Sequence, residues 1–191
     1  VALTLADPRM STAGILAFGC LAALTLLHVV LASTEAFTRP IFGWDVTMHW
    51  ATKARVWYDQ AQLVPFVSNE EWLARGGEAG VFTDHHPGYP PTIPLLQLWI
   101  AIASGHWDEV AVNAAWPLFA IALALIFYGQ GRQLGASRLT SICFTYLLMS
   151  LPLLNAHVAL AGYADLPLGV VYLAALGALL HGVQDREPRI L

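Results

Sequence analysis

The chain has 191 residues, of which 57% are hydrophobic and only 12% charged, with a formal net charge of −4. Soluble domains carry about 25% charged residues, so half that charge between long apolar runs indicates an integral membrane protein. No basic cluster is present, which removes nucleic acid as a partner. The two cysteines, Cys20 and Cys143, lie inside apolar runs without metal-ligand spacing and read as small core or lipid-facing residues.

Arg9 precedes an apolar run over residues 12–33, the length needed to cross a ~30 Å hydrocarbon core. A signal peptide is the competing reading, but its apolar region spans only ~7–15 residues, so a true span is expected. The chain begins at Val1 and ends just past a charged tail with Asp185, Arg186, Glu187 and Arg189. It reads as the N-terminal part of a longer polytopic protein.

Residues 34–90 are polar by comparison. Val46, Trp50, Ala54 and Trp57 recur at helical spacing, and Asp45, His49 and Lys53 recur on another face, so residues 45–59 read as an amphipathic helix. Trp44, Trp50, Trp57 and Tyr58 suit a membrane–water interface. A second short helix is expected over residues 69–75, ended by Gly76-Gly77. Residues 91–104 are apolar but too few to span. Further spans are expected at 108–128, 139–161 (with Pro152 late in it) and 165–183. If 91–104 stays at the outer interface, Arg132, Arg138, Arg186 and Arg189 all fall on the inner side with Arg9, as the positive-inside rule favours. The fold expected is therefore an all-α polytopic membrane protein. It is one transmembrane module over residues 1–191, with four spans and interfacial helices in a first outer loop at 34–107. Asp45 and Asp165 then lie on the same, outer side.

Several residues in this frame could carry chemistry. Asp45 stands directly before the helical pattern, as an N-cap, a general base, or both. His49, Lys53 and Arg55 follow it as a solvated stripe or a phosphate-binding one. Asp84-His85-His86 leads into Pro87-Gly88-Tyr89-Pro90-Pro91, a stiff turn that holds His85, His86 and Tyr89 at the interface. Its spacing does not make a zinc motif. Asp165 opens the last apolar run, as a helix cap or a second functional carboxylate. His28, His157 and His181 fall in or near spans and read as core histidines.

The order of these features resembles the N-terminal portion of the GT-C membrane glycosyltransferases. A long apolar span leads to an Asp after Gly-Trp, a Trp-rich amphipathic helix, a His-Pro-x-Tyr-Pro-Pro segment, an Arg-bearing loop and an Ala-Asp-Leu-Pro-Leu span start. The likeness covers most of residues 12–183. It is greatest to the bacterial family 39-like group, which includes the aminoarabinose transferases and is related to the protein O-mannosyltransferases. The resemblance implies transfer of a sugar from a polyprenyl-phosphate carrier to an acceptor hydroxyl at the outer face of a bacterial inner membrane, with inversion. The donor would be a lipid-linked sugar, and the acceptor a lipid, glycan or protein. It implies Asp45 and Asp165 as catalytic carboxylates, and His85, Pro87, Tyr89 and Pro91 in the segment closing over the donor phosphate, to which His86 is assigned with them. Lys53 and Arg55 are assigned to that phosphate by charge. Many relatives carry an acidic pair where this chain has the single Asp45, so a divalent metal is not demanded and its participation is left open. The alternatives are a transporter or flippase-like protein, with its acidic groups on a substrate path, and a non-catalytic membrane subunit.

Overall fold

The computed structural model describes residues 10–184. These form eight α-helices and one two-stranded sheet. The long apolar runs become helices because in hydrocarbon each backbone N–H and C=O must find its partner within the segment. α1 is Thr12–Thr38; α2, Ala51–Gln60, follows a π-helical turn at Val46–Trp50; α3 is Asn69–Ala74; α4 is Thr92–Ser104. After a 3₁₀ turn at Ala111–Asn113 come α5 at Ala115–Gln133, α6 at Arg138–Met149, α7 at Pro152–Ala159 and α8 at Asp165–Gln184. Strands β1, Phe66–Val67, and β2, Phe82–Thr83, pair in parallel.

Among the described residues three single segments are long and apolar enough to cross a membrane: Thr12–Thr38, Ala111–Gln133 and Asp165–Val183. They correspond to three of the four runs read as spans. The fourth is long and apolar enough to cross only as a bent pair of helices. The run at 139–161 is not one straight helix, because α6 and α7 meet at a 62° bend. Pro152 cannot continue an i→i−4 ladder, and Asn155 Nδ2 donates to the carbonyls of Met149 and Leu151, both at 2.9 Å, at the break. Arg9, Arg186 and Arg189, which entered the topology reading, lie outside the described residues.

The chain divides into two compact units. Among the described residues the first comprises 10–33, 117–159 and 165–184 and contains most of the apolar helix length. Large side chains such as Leu16, Leu125, Leu168 and Leu179 are exposed on it, as a surface solvated by lipid requires. Its helices meet through small residues. A Cβ on Gly177 would stand 2.0 Å from Gln130 Nε2, which donates to the Leu173 carbonyl at 2.6 Å. One on Gly131 would stand 3.0 Å from Ser141 Oγ. Small residues of this kind let backbones approach in membrane helix packing.

The second unit comprises residues 34–116 and 160–164. Its core is α2 packed against α4, with the π-turn at one end of α2 and the 3₁₀ turn against α4. Val46, Trp50, Ala54 and Trp57 are buried, as their spacing predicts. At 13 residues, α4 is about 20 Å long, short of a ~30 Å hydrocarbon core. It buries Ile93, Pro94, Gln97 and Ala101, and Gln97 Nε2 donates to Asn113 Oδ1 at 3.1 Å. The helix expected at 69–75 is α3. Ser68 caps it by accepting the Glu71 N–H at 3.2 Å, and Gly76 and Gly77 take positive φ just beyond it. The two strands flanking α3 were not expected from the sequence.

Candidate functional site

The site is in the second unit and is built around a residue that spacing did not single out, Asp84. It directly follows β2, and its N–H donates to the Val67 carbonyl of β1 at 3.1 Å, so the small sheet fixes its position. Its side chain is 1% exposed. Oδ1 takes the His49 Nδ1–H at 2.5 Å and the His86 backbone N–H at 3.1 Å, while Oδ2 faces Lys53 Nζ at 2.6 Å. Lys53 Nζ also donates to the His86 carbonyl at 3.1 Å. Burial pushes the Asp84 pKa up. The hydrogen bonds from Lys53, His49 and the His86 N–H, with the lysine's charge, outweigh it and hold the carboxyl below its ordinary value.

His49 and Lys53 therefore do not form a solvated stripe. Both are buried, because a carboxylate 31 and 35 positions further along the sequence, Asp84, neutralises the lysine and accepts from the imidazole. The rings of His49, His86 and Tyr89 pack on one another, with centroids 5.0 Å apart for His49–His86, 5.5 Å for His49–Tyr89 and 4.6 Å for His86–Tyr89. Trp50 stacks on Tyr89 at 5.2 Å, and His85 meets His86 at 4.7 Å. Four of the expected donor-side residues, Lys53, His85, His86 and Tyr89, are thus in one cluster. Arg55 is not among them. It pairs with Asp59 at 2.7 Å, lies over the Trp107 ring at 5.4 Å and lines a different groove, of about 270 Å³, with Thr47, Thr52 and Glu109.

Asp45 is exposed, at the start of the π-turn. It has helical dihedrals and its side chain makes no cap hydrogen bond, which corrects the N-cap reading: the helical backbone already begins at Trp44. The turn is held from beneath. A Cβ on Gly162, which has φ +109, would meet Val46 Cγ1 at 2.3 Å, and one on Gly43 would meet the Tyr163 ring at 2.6 Å. Trp116 Nε1 donates to the Tyr163 carbonyl at 2.9 Å. Trp44, Met48, His49, Asn69, Thr83, Asp84 and His85 line a groove of about 410 Å³. Trp44 and Met48 give it apolar surface. Among its polar residues, Thr83 Oγ1 donates to Asn69 Oδ1 at 2.7 Å.

Asp165 belongs to the first unit. It is the first residue of α8, where a carboxylate is favoured by the helix dipole, and its exposed side chain stands 3.7 Å from His157 Nδ1. Among the described residues no group of three or more His, Cys, Asp or Glu is placed to hold a metal ion.

The apolar spans and the helical content define an all-α membrane protein. Comparison with known proteins finds no matching family model, no matching curated protein and no matching solved structure.

Proposed function

We propose that the chain is part of a membrane glycosyltransferase that moves a sugar from a polyprenyl-phosphate carrier to an acceptor hydroxyl at the outer face of the membrane, with inversion. The observation that carries this reading is the contrast between Asp45 and the residues behind it. Its carboxylate is exposed and makes no cap bond, yet it sits on a π-turn anchored by buried His49 and, through α2, by buried Lys53. π-Helical turns are energetically inferior to α-helix and occur frequently at functional sites.

In this mechanism Asp45 takes the proton of the acceptor hydroxyl. The acceptor oxygen bonds to the anomeric carbon from the face opposite the phosphate. The bond from that carbon to the phosphate oxygen breaks, and its electron pair leaves with the phosphate. General-base assistance of this kind contributes roughly 10²–10⁴-fold. The developing negative charge is met by donors from the His85–His86–Tyr89 turn, in an environment where fixed dipoles act strongly. Lys53 serves this turn by holding its carbonyls, and its charge is largely taken up by Asp84. Arg55, in its separate groove, is assigned to lipid headgroups at the interface. Asp165 is carried into the reading by the resemblance alone.

The test is transfer in proteoliposomes of the full-length protein, given a panel of radiolabelled polyprenyl-phosphate sugars and a membrane extract as acceptor. Label moving from the carrier to a product, with free polyprenyl phosphate appearing, is the expected result. Label that stays on the carrier while the intact lipid changes leaflet indicates a flippase and overturns the reading.

A further inference from the structure

Asp84 is buried at the centre of the candidate site, and its carboxylate is unused by the chemistry above. Its carboxylate is ionised beside Lys53 and can only accept hydrogen bonds. His49 must therefore carry its proton on Nδ1 to make the 2.5 Å contact. In a neutral imidazole that leaves Nε2 as a lone-pair acceptor. No described residue donates a hydrogen bond to Nε2, although His49 lines the groove between Trp44 and the Asn69–Thr83 pair.

We propose that Asp84 is a positioning residue that fixes His49 in the Nδ1–H tautomer, so that His49 Nε2 accepts a hydrogen bond from a hydroxyl of a ligand bound in this groove. The groove's mixture of apolar and polar lining residues fits a sugar ring. Its C–H face would lie on Trp44 and Met48, and its hydroxyls would meet Asn69, His85 and His49. This rests on the proposed transfer reaction in assigning the groove to the acceptor. The acceptor is then a saccharide, held against Trp44, the residue before Asp45 in the sequence. The tautomer lock itself needs no transfer activity.

The backbone at Asp84 supports a role beyond charge balance. Asp84 is tied to β1 through its own N–H and to the histidine turn through its Oδ1. His49 is confined by three rings, those of Trp44, His86 and Tyr89. Ring orientation and tautomer are thus set by different contacts, and the second can be changed while the first is kept. An asparagine at position 84 can donate its amide N–H to His49 Nδ1 and reverse the tautomer in an otherwise similar geometry, as in the serine-protease triad.

The experiment is nitrogen-15 NMR of histidine-labelled full-length protein in lipid nanodiscs at mildly alkaline pH, with His49→Gln identifying the resonances. The wild type is expected to show His49 as the Nδ1–H tautomer. Asp84→Asn is expected to convert it to Nε2–H, with a tenfold or greater rise in KM for a saccharide acceptor and little change in KM for the lipid-linked donor. Should Asp84→Asn fail to fold, Asp84→Asn/Lys53→Met restores charge balance and gives the tautomer readout. An Nε2–H tautomer in the wild type overturns the proposal, as does a tautomer unmoved by the substitution. A reversed tautomer with unchanged acceptor KM removes the ligand role. The expected tautomers in a protein that transfers no sugar leave the Asp84 lock standing and remove the glycosyltransferase reading.

Discussion

Asp84 Oδ2 and Lys53 Nζ are 2.6 Å apart, with side chains 1% and 4% exposed. The pair joins α2 to the turn after β2 within the second unit. Breaking a buried pair by removing one partner strands the other charge, at a cost of about 3–5 kcal/mol. Asp84→Ala should therefore destabilise strongly, and Asp84→Leu/Lys53→Met should recover much of the loss. Thermal unfolding in detergent, followed by tryptophan fluorescence, reads both. A single variant as stable as wild type contradicts this role.

The lowered Asp84 pKa sets the direction of the acid response. The unfolded chain binds this proton more readily than the folded one, so the contribution is complete above the ordinary value of 3.8 and is lost as pH falls through that value toward the folded pKa. Unfolding midpoints measured from pH 6 downward should fall most steeply below about pH 4. The drop should be shallower in Asp84→Leu/Lys53→Met, where the charge pair is absent. An identical slope in both proteins contradicts the linkage.

Gly162 has a local steric requirement. Its φ of +109 disfavours any side chain, and the added Cβ would overlap Val46 Cγ1 at 2.3 Å. Strained backbone and overpacking each cost about 1–3 kcal/mol. Gly162→Ala should lower the unfolding midpoint clearly more than Gly169→Ala, where nothing lies within 4 Å. Equal effects would contradict the close approach of the 160–164 segment to the π-turn.

The groove lined by Arg55 allows a separate check. Arg55 is half exposed, pairs with Asp59 one helical turn away and lies over Trp107. Exposed pairs of this kind contribute about 0.2–1 kcal/mol, so Arg55→Gln should leave stability nearly unchanged. If Arg55 meets anionic headgroups, the variant should weaken binding of anionic over zwitterionic lipid in native mass spectrometry. An unchanged preference contradicts that assignment.

What the sequence made legible follows from the range of each signal. Hydropathy and length are local, so the runs that become α1, α5 and α8 could be read directly, as could the short α4. The Ser68 cap and the Gly76-Gly77 stop are also local. Pro152 was visible, but the 62° bend depends on Asn155 satisfying carbonyls at the break. The site core was not legible, because its pairings are distant in sequence: Asp84 to His49 and Lys53, β1 to β2, and Gly162 to Val46. Helical spacing placed His49 and Lys53 on one face correctly. It could not show that this face was the buried one, since burial depended on a carboxylate more than 30 residues away. The π-turn was not legible either: its Val46 and His49 contact Gly162 and Asp84, both distant in sequence.

Asp45 is where the functional reading is most exposed to test. Because the carboxylate is exposed and makes no cap bond, Asp45→Asn should change stability by less than about 0.5 kcal/mol. The decisive measurement is the initial rate of transfer from a labelled polyprenyl-phosphate sugar by wild-type and Asp45→Asn full-length protein, matched for unfolding midpoint. A loss of roughly 10²-fold or more in kcat with the donor still bound is the expected result. Transfer at the wild-type rate by Asp45→Asn contradicts its role as the base.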